Sequence, residues 1–182
     1  ALGYCRLAAL EAAAGRLARA HEIYDQAQKV DPFSVEAEVG HALCDLEEQN
    51  LPLCDARLLQ ARTFVRRAGG AETETARSPS AALVLLAQGA ALVEHSRHQE
   101  ANEVLNLAVA AHASVGAPAA ALRGRLLELM SQNTRAYDAF SDAAALEVQP
   151  ATLAGLCFLQ AQAQFDAAAD PADLEKVLAG RE

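Results

Sequence analysis

Tryptophan is absent from this chain, aromatic residues make up only 4% of it, and it has a single methionine. A core without large rings has to be closed by small side chains brought near one another, which suits helix packed on helix. β-Branched residues are sparse and no stretch alternates apolar with polar residues for long, which argues against a substantial sheet. No apolar run approaches the ~20 residues that a bilayer crossing needs. The first residues lack the succession of charged, apolar and cleavage-site regions that marks a signal peptide. Lysine is nearly missing too: of 15 basic residues only Lys29 and Lys176 are lysines, and the formal net charge is −9. That balance argues against a phosphate backbone or an anionic membrane surface as the main partner. The densest basic spot, Arg62, Arg66 and Arg67, reads as a solvated helix end.

Catalytic motifs are missing in the same way. There is no phosphate-binding glycine loop, no nucleophile elbow, no His-Glu-x-x-His and no zinc-finger spacing. His95, His98 and His112 with Glu94 are the best histidine set for a metal. The predicted inter-helix turn falls on Ser96, however, so His95 and His98 flank a corner instead of sharing a helix face. Cys5, Cys44, Cys54 and Cys157 lie inside apolar helical patterns without C-x-x-C spacing and read as reduced core residues. Glu47-Glu48 and Glu72 with Glu74 have no positioned acid or base beside them and read as a solvated turn and loop. No catalytic residue, no cofactor and no metal site is expected, and the chain is not read as an enzyme.

What the 182 residues do contain is periodicity, carried largely by alanine within a 52% hydrophobic composition. From the start, Tyr4, Leu7, Ala8, Gly15, Ala20, Tyr24, Ala27 and Pro32 fall in the order bulky, apolar, small, turn, small, aromatic, small, helix stop. This is the pattern of the tetratricopeptide repeat (TPR), a helix–turn–helix unit of about 34 residues. The small residues let two antiparallel helices approach, Gly15 permits a left-handed turn, Tyr24 reaches towards the next unit and Pro32 ends the second helix. A second unit begins at Val35, with Cys44, Cys54, Leu58 and Ala61 in phase and Pro52 near the start of its second helix. Glu38 and His41 stand in it at positions that are usually bulky and apolar. Leu85, Gly89, Leu92, Ala101, Leu105 and Ala108 mark a third unit, and Gly124, Leu127, Ala136, Phe140 and Ala143 a fourth.

The predicted organisation is therefore all-α, a TPR α-solenoid in which antiparallel helix pairs wind into a right-handed superhelix of about ten helices. Residues 1–65 form two units, 66–80 an inserted loop, 81–149 two further units and 150–182 one more helix pair. Gly69-Gly70, alternating Glu and Thr, and Ser78-Pro79 break the helical pattern in the loop, and Ser78, Pro79 and Ser80 form the start signal of the next helix. Thr73, Thr75, Ser78 and Ser80 are candidate phosphorylation sites. Asp170 is placed to cap the last helix, with Pro171 at its first helical position. Because Ala1-Leu2-Gly3-Tyr4 is already within a helical pattern, a segment of a longer solenoid is expected.

Beyond the repeat skeleton, several residues resemble one stretch of the large all-TPR subunit of the intraflagellar transport A (IFT-A) complex. They are Leu2-Gly3-Tyr4, Gly15, Tyr24, Ala27, Asp31, Ser34-Val35, Ala37, Gly40, Cys44, Leu46-Glu47 and Leu51, then Gln99-Glu100, Leu105-Asn106, Val109 and His112. The likeness spans Leu2 to His112. It implies a rod-like, non-catalytic scaffold whose surfaces bind other subunits of a multi-subunit complex, acting in retrograde transport in the cilium or flagellum and its basal body. No nucleic acid, no direct membrane insertion and no small-molecule substrate is expected. The alternative is a free-standing TPR adaptor that takes a partner peptide in its concave groove. A carboxylate clamp would need Lys, Asn and Arg on successive first helices, whereas this chain offers Arg6, Glu38 and Arg123.

Overall fold

Backbone geometry repeats itself at four turns. Gly15 (φ 75°), Gln49 (φ 60°), Ser96 (φ 58°) and Ser131 (φ 56°) all adopt the left-handed conformation. In each case the left-handed residue donates its N–H three residues back, and the next residue donates five back. Gly15 N–H reaches Ala12 O and Arg16 N–H reaches Glu11 O, at 2.8 and 2.9 Å; Gln49 and Asn50, Ser96 and Arg97, and Ser131 and Gln132 repeat the pair. This double bond satisfies carbonyls that a helix end would otherwise leave open, and it reverses the chain within two residues. Glycine meets the requirement at the first turn without strain; at the other three a side chain is carried at a cost of about 1–2 kcal/mol.

The computed structural model describes residues 1–69 and 78–147, together with Leu159. The predicted hairpin at 150–182, with Cys157, Asp170 and Pro171, lies outside them apart from Leu159, as do Thr73 and Thr75 of the loop. The described residues form eight α-helices and no strand: α1 Leu2–Ala13, α2 Leu17–Val30, α3 Val35–Glu47, α4 Leu51–Gly69, α5 Pro79–Glu94, α6 His98–Ala111, α7 Ala113–Leu129 and α8 Asn133–Leu146. Helix α4 runs past the expected loop start at Arg66, and Arg66 and Arg67 form its last turn. The extension has local support: Phe33 packs edge-on against Phe64 at 5.4 Å between centroids, and the Arg67 guanidinium lies 5.7 Å over the Phe33 ring. These contacts hold the last turns of α4 against the connection between α2 and α3, so the helix continues through Arg66 and Arg67. Ser78 caps α5 by accepting from Ala81 N–H at 3.1 Å, with Pro79 in the first turn.

The chain divides into two compact units, Ala1–Arg97 and His98–Glu182. The helices of the predicted third repeat, α5 and α6, fall on either side of that division. In the first unit α1 pairs with α2 and α3 with α4, α2 lies against α3, and α5 packs on α3 and α4. Two clusters form its core. Cys5, Ala8, Ala20, Ile23, Tyr24 and Ala27 close the first hairpin with Ala37 and Cys44 of α3. Val39, Ala42, Cys54, Leu58, Ala61 and Val84 centre the second. In the second unit α7 packs on both α6 and α8; Leu127 of α7 meets Ala136, Ala139 and Phe140 of α8, and Ala120 and Ala143 meet beside Val109 of α6.

Close helix approach is visible at two glycines. A Cβ on Gly40 would stand 2.1 Å from Tyr24 Cζ, and one on Gly124 would stand 2.6 Å from Phe140 Cε1. The two largest repeat-position rings thus lie directly over bare helix backbone, which is how so few aromatics fill the interior.

Candidate functional site

The repeat positions named from the sequence are placed as follows. Ala20, Ala27, Ala61, Ala101, Ala108, Ala136, Ala143 and Phe140 are fully buried, and Tyr24 is 5% exposed. Gly89 and Gly124 are buried, Gly15 is exposed at the first turn, and Pro32 is exposed between α2 and α3. Tyr4 and Leu7 behave differently, at 42% and 47% exposed.

The second repeat shows why. One repeat length after Tyr4 and Leu7 come Glu38 and His41, and these are 2% and 1% exposed. In the second repeat the same helix face is covered by α2. Polar side chains at a covered face must be matched across it, and α2 supplies His21, Asp25 and Gln28, spaced four and three residues apart so that they share one side of the helix. Gln28 Nε2 donates to Glu38 Oε2 at 2.5 Å. From α4, Arg57 Nε donates to Asp45 Oδ2 at 2.6 Å, and its Nη1 lies 3.5 Å from Glu38 Oε1. The guanidinium thereby joins two carboxylates of α3 that are each 3% exposed at the side chain.

Two histidines meet at the centre. The Nδ1 atoms of His21 and His41 are 2.7 Å apart, with ring centroids at 5.0 Å and planes inclined by 23°. At that separation one ring donates and the other accepts. The other nitrogen of His41, Nε2, is buried without a hydrogen-bond partner among the described residues. The Asp25 carboxylate stands 3.4 Å from it, near enough to attract its proton electrostatically but not aligned to bond it. Burial, reinforced by the Arg57 charge and His21, pushes the His41 imidazole down to about 4 from 6.5. Burial also raises the Glu38 carboxyl above its ordinary value, against the pull of Arg57 and Gln28. On its far side His21 turns Nε2 towards Asp45 Oδ1 at 3.8 Å and Glu48 Oε2 at 3.9 Å.

The histidines weighed in the sequence for a metal, without a site being expected, stand on different elements. His95 ends α5 and meets Asp55 Oδ2 at 3.0 Å. His112 caps α7, its Nδ1 accepting from Ser114 N–H at 3.1 Å. His98 begins α6, with a buried Nδ1 that has no hydrogen-bond partner among the described residues. The thiols of Cys44 and Cys54 are pushed up to about 11 by burial and neighbouring carboxylates, and Cys5 is raised by burial; all three are free. Thiols in such surroundings are inert packing groups.

Sequence reasoning missed the junction between α2 and α3. The signal was present in two polar series, His21, Asp25 and Gln28 on one helix and Glu38, His41 and Asp45 on the next, each at helical spacing and each facing the other across one repeat boundary.

No protein-family model and no curated protein matches the chain. Solved structures do. PilF of Pseudomonas aeruginosa superposes with a TM-score of 0.66 at 20% identity, over 92% of this chain and 68% of that one. TTC0263, a thermophilic TPR protein from Thermus thermophilus, gives 0.57 at 21% identity, over 98% and 97% of the two chains. YrrB, a TPR protein described as having an unusual peptide-binding site, gives 0.52 at 18% identity, over 94% and 80%. With paired helices, repeated left-handed turns and these structural neighbours, the chain has the all-helical fold of a TPR α-solenoid.

Proposed function

We propose that the chain is a non-catalytic protein-interaction module in which a further helical element, of this protein or of a protein partner, covers α1. The observation that carries this is the apolar face of α1. Tyr4, Leu7 and Leu10 are 42%, 47% and 68% exposed and, being three residues apart, share one side of the helix; Tyr4 and Leu7 occupy the positions that α2 covers in the second repeat. A face built to receive a helix in one repeat offers the same shape in the next. The peptide-binding site ascribed to YrrB supports protein ligands for this fold. An acidic-tail clamp is disfavoured, because Glu38 faces Gln28 and Arg57, and Arg123 Nε donates to Asn102 Oδ1 at 3.1 Å.

The finer reading is a scaffold segment of an IFT-A subunit, placed in the cilium and acting in retrograde transport among other subunits. Its support is the residue resemblance from Leu2 to His112; the structural neighbours share the repeat fold and favour it no more than a free-standing adaptor. Binding of the chain to purified IFT-A subunits and to extended peptides, by fluorescence anisotropy, separates the two. Saturable binding to a subunit, lost in the Leu7→Asp, Leu10→Asp double variant, supports the scaffold. Binding to peptides alone supports the adaptor, and binding to neither overturns the proposal.

A further inference from the structure

The junction between α2 and α3 contains an arrangement that packing alone does not explain. His21 Nε2 faces two carboxylate oxygens, Asp45 Oδ1 at 3.8 Å and Glu48 Oε2 at 3.9 Å. The other ring nitrogen, Nδ1, is taken up by the 2.7 Å contact with His41 Nδ1, so Nε2 is the nitrogen turned to the two carboxylates. One imidazole nitrogen and two carboxylate oxygens converging on one place call for a proton or a cation between them.

A proton on Nε2 answers poorly, since a hydrogen bond to oxygen needs about 2.7–3.2 Å and these contacts are longer. A metal ion answers better. Ligand atoms each at about 2.0–2.2 Å from one centre are held up to roughly 4 Å apart; His21 Nε2 is 3.8 and 3.9 Å from the two carboxylate oxygens, and all three atoms lie within 4.8 Å of one another, a spread that a small turn of the exposed Glu48 side chain closes. The groups around the trio fit the same reading. Arg57 takes the other oxygen of Asp45, at 2.6 Å, and so fixes which oxygen faces His21. With Nε2 on a metal, His21 Nδ1 would donate across the 2.7 Å contact to His41 Nδ1, the kind of outer bond that orients a metal-ligating imidazole. The Glu48 side chain is 43% exposed and that of His21 23%, which leaves an entry path and room for water to complete the coordination.

We propose that His21 Nε2, Asp45 Oδ1 and Glu48 Oε2 bind one divalent transition-metal ion of the Zn2+ class, joining α2 to the C-terminal end of α3. An imidazole beside two carboxylates favours such an ion over Ca2+ or Mg2+, which take oxygen ligands. The ion links the first repeat to the second, so its role is structural.

The test uses the whole chain stripped with EDTA, titrated with Zn2+ by calorimetry and followed by thermal unfolding, with Co2+ as a spectroscopic probe. The expected result is one Zn2+ per chain, a raised Tm, and Kd weakened at least tenfold in both His21→Gln and Glu48→Gln. Glu48→Gln alters an exposed side chain, so it keeps the test decisive if His21→Gln folds poorly. Absence of saturable Zn2+ binding to the parent chain, an unchanged Kd in Glu48→Gln, or thiolate charge-transfer absorption with Co2+ overturns the proposal.

Discussion

Replacing Gly40 by alanine opposes two effects of known sign. Gly40 lies within α3, where alanine is favoured over glycine by about 1 kcal/mol on backbone grounds. Its missing Cβ is the space Tyr24 occupies: an added carbon would stand 2.1, 2.3 and 2.5 Å from Cζ, Cε1 and OH of that ring. The ring is 5% exposed and shares its cluster with Ile23, Ala37 and Cys44, so it has little room to retreat. Overpacking of this kind costs about 1–3 kcal/mol. With at least one van der Waals radius of overlap the upper part of that range applies, and the net expectation is a loss of about 1–2 kcal/mol. Urea unfolding followed by circular dichroism measures it as a lower midpoint at constant slope. The sign should reverse in a Tyr24→Ala background, where the added methyl enters vacated space and only the helix preference remains. Gly3→Ala is the control, because a Cβ there meets nothing within 4 Å. A Gly40→Ala chain as stable as the parent, or a loss of the same size with and without the Tyr24 ring, would refute the reasoning.

Four further outcomes follow from other parts of the structure. Gly15→Ala should cost about 1 kcal/mol, the left-handed penalty alone since its Cβ site is open; Ser131→Gly should stabilise by a few tenths of a kcal/mol up to about 1, both read from denaturant midpoints. For pH, the buried His41 is held down to about 4 against 6.5, so the unfolded chain takes a proton that the native chain refuses. Its contribution is complete above pH 6.5 and is lost as pH falls towards 4, by up to about 3 kcal/mol. The raised Glu38 acts in the opposite sense, its share being present at low pH and lost as pH rises through its folded value. His41→Gln should therefore flatten the stability profile between pH 6.5 and 4, and an unchanged slope would remove His41 as its source. Alkylation of Cys44 and Cys54 at pH 8 should be at least about a hundredfold slower in the native chain than in urea, given thiols near 11 against 9.0; mass spectrometry of peptides reads this directly.

Much of the fold was legible because its determinants are local and periodic. Gly15, Tyr24 and Ala27 announce a turn, a ring and a close approach within one stretch of chain, and each occupies the place its chemistry implies. The turn at Gln49 was less legible, because a left-handed glutamine has no sequence signature. It is imposed by the Asn50 to Asp45 and Gln49 to Leu46 hydrogen bonds that close the helix end. The end of α4 was hidden for a related reason, since Phe33 and Arg67 act across a distance in sequence that local patterns do not register. The polar junction was legible only as an oddity. Glu38 and His41 look misplaced until α2 is laid against α3, and only then do His21, Asp25, Gln28 and Arg57 become their partners.

Repeat hairpins with uniform apolar faces can be duplicated, deleted or reordered, since any one fits against any other. The junction between α2 and α3 is written in a different alphabet. A duplicated first hairpin would set Tyr4 and Leu7 against His21, Asp25 and Gln28 and leave those groups stranded; a deleted one would bare Glu38 and His41. The first two hairpins therefore carry addresses, and their order in the chain is enforced by the cost of delivering either one to the wrong neighbour.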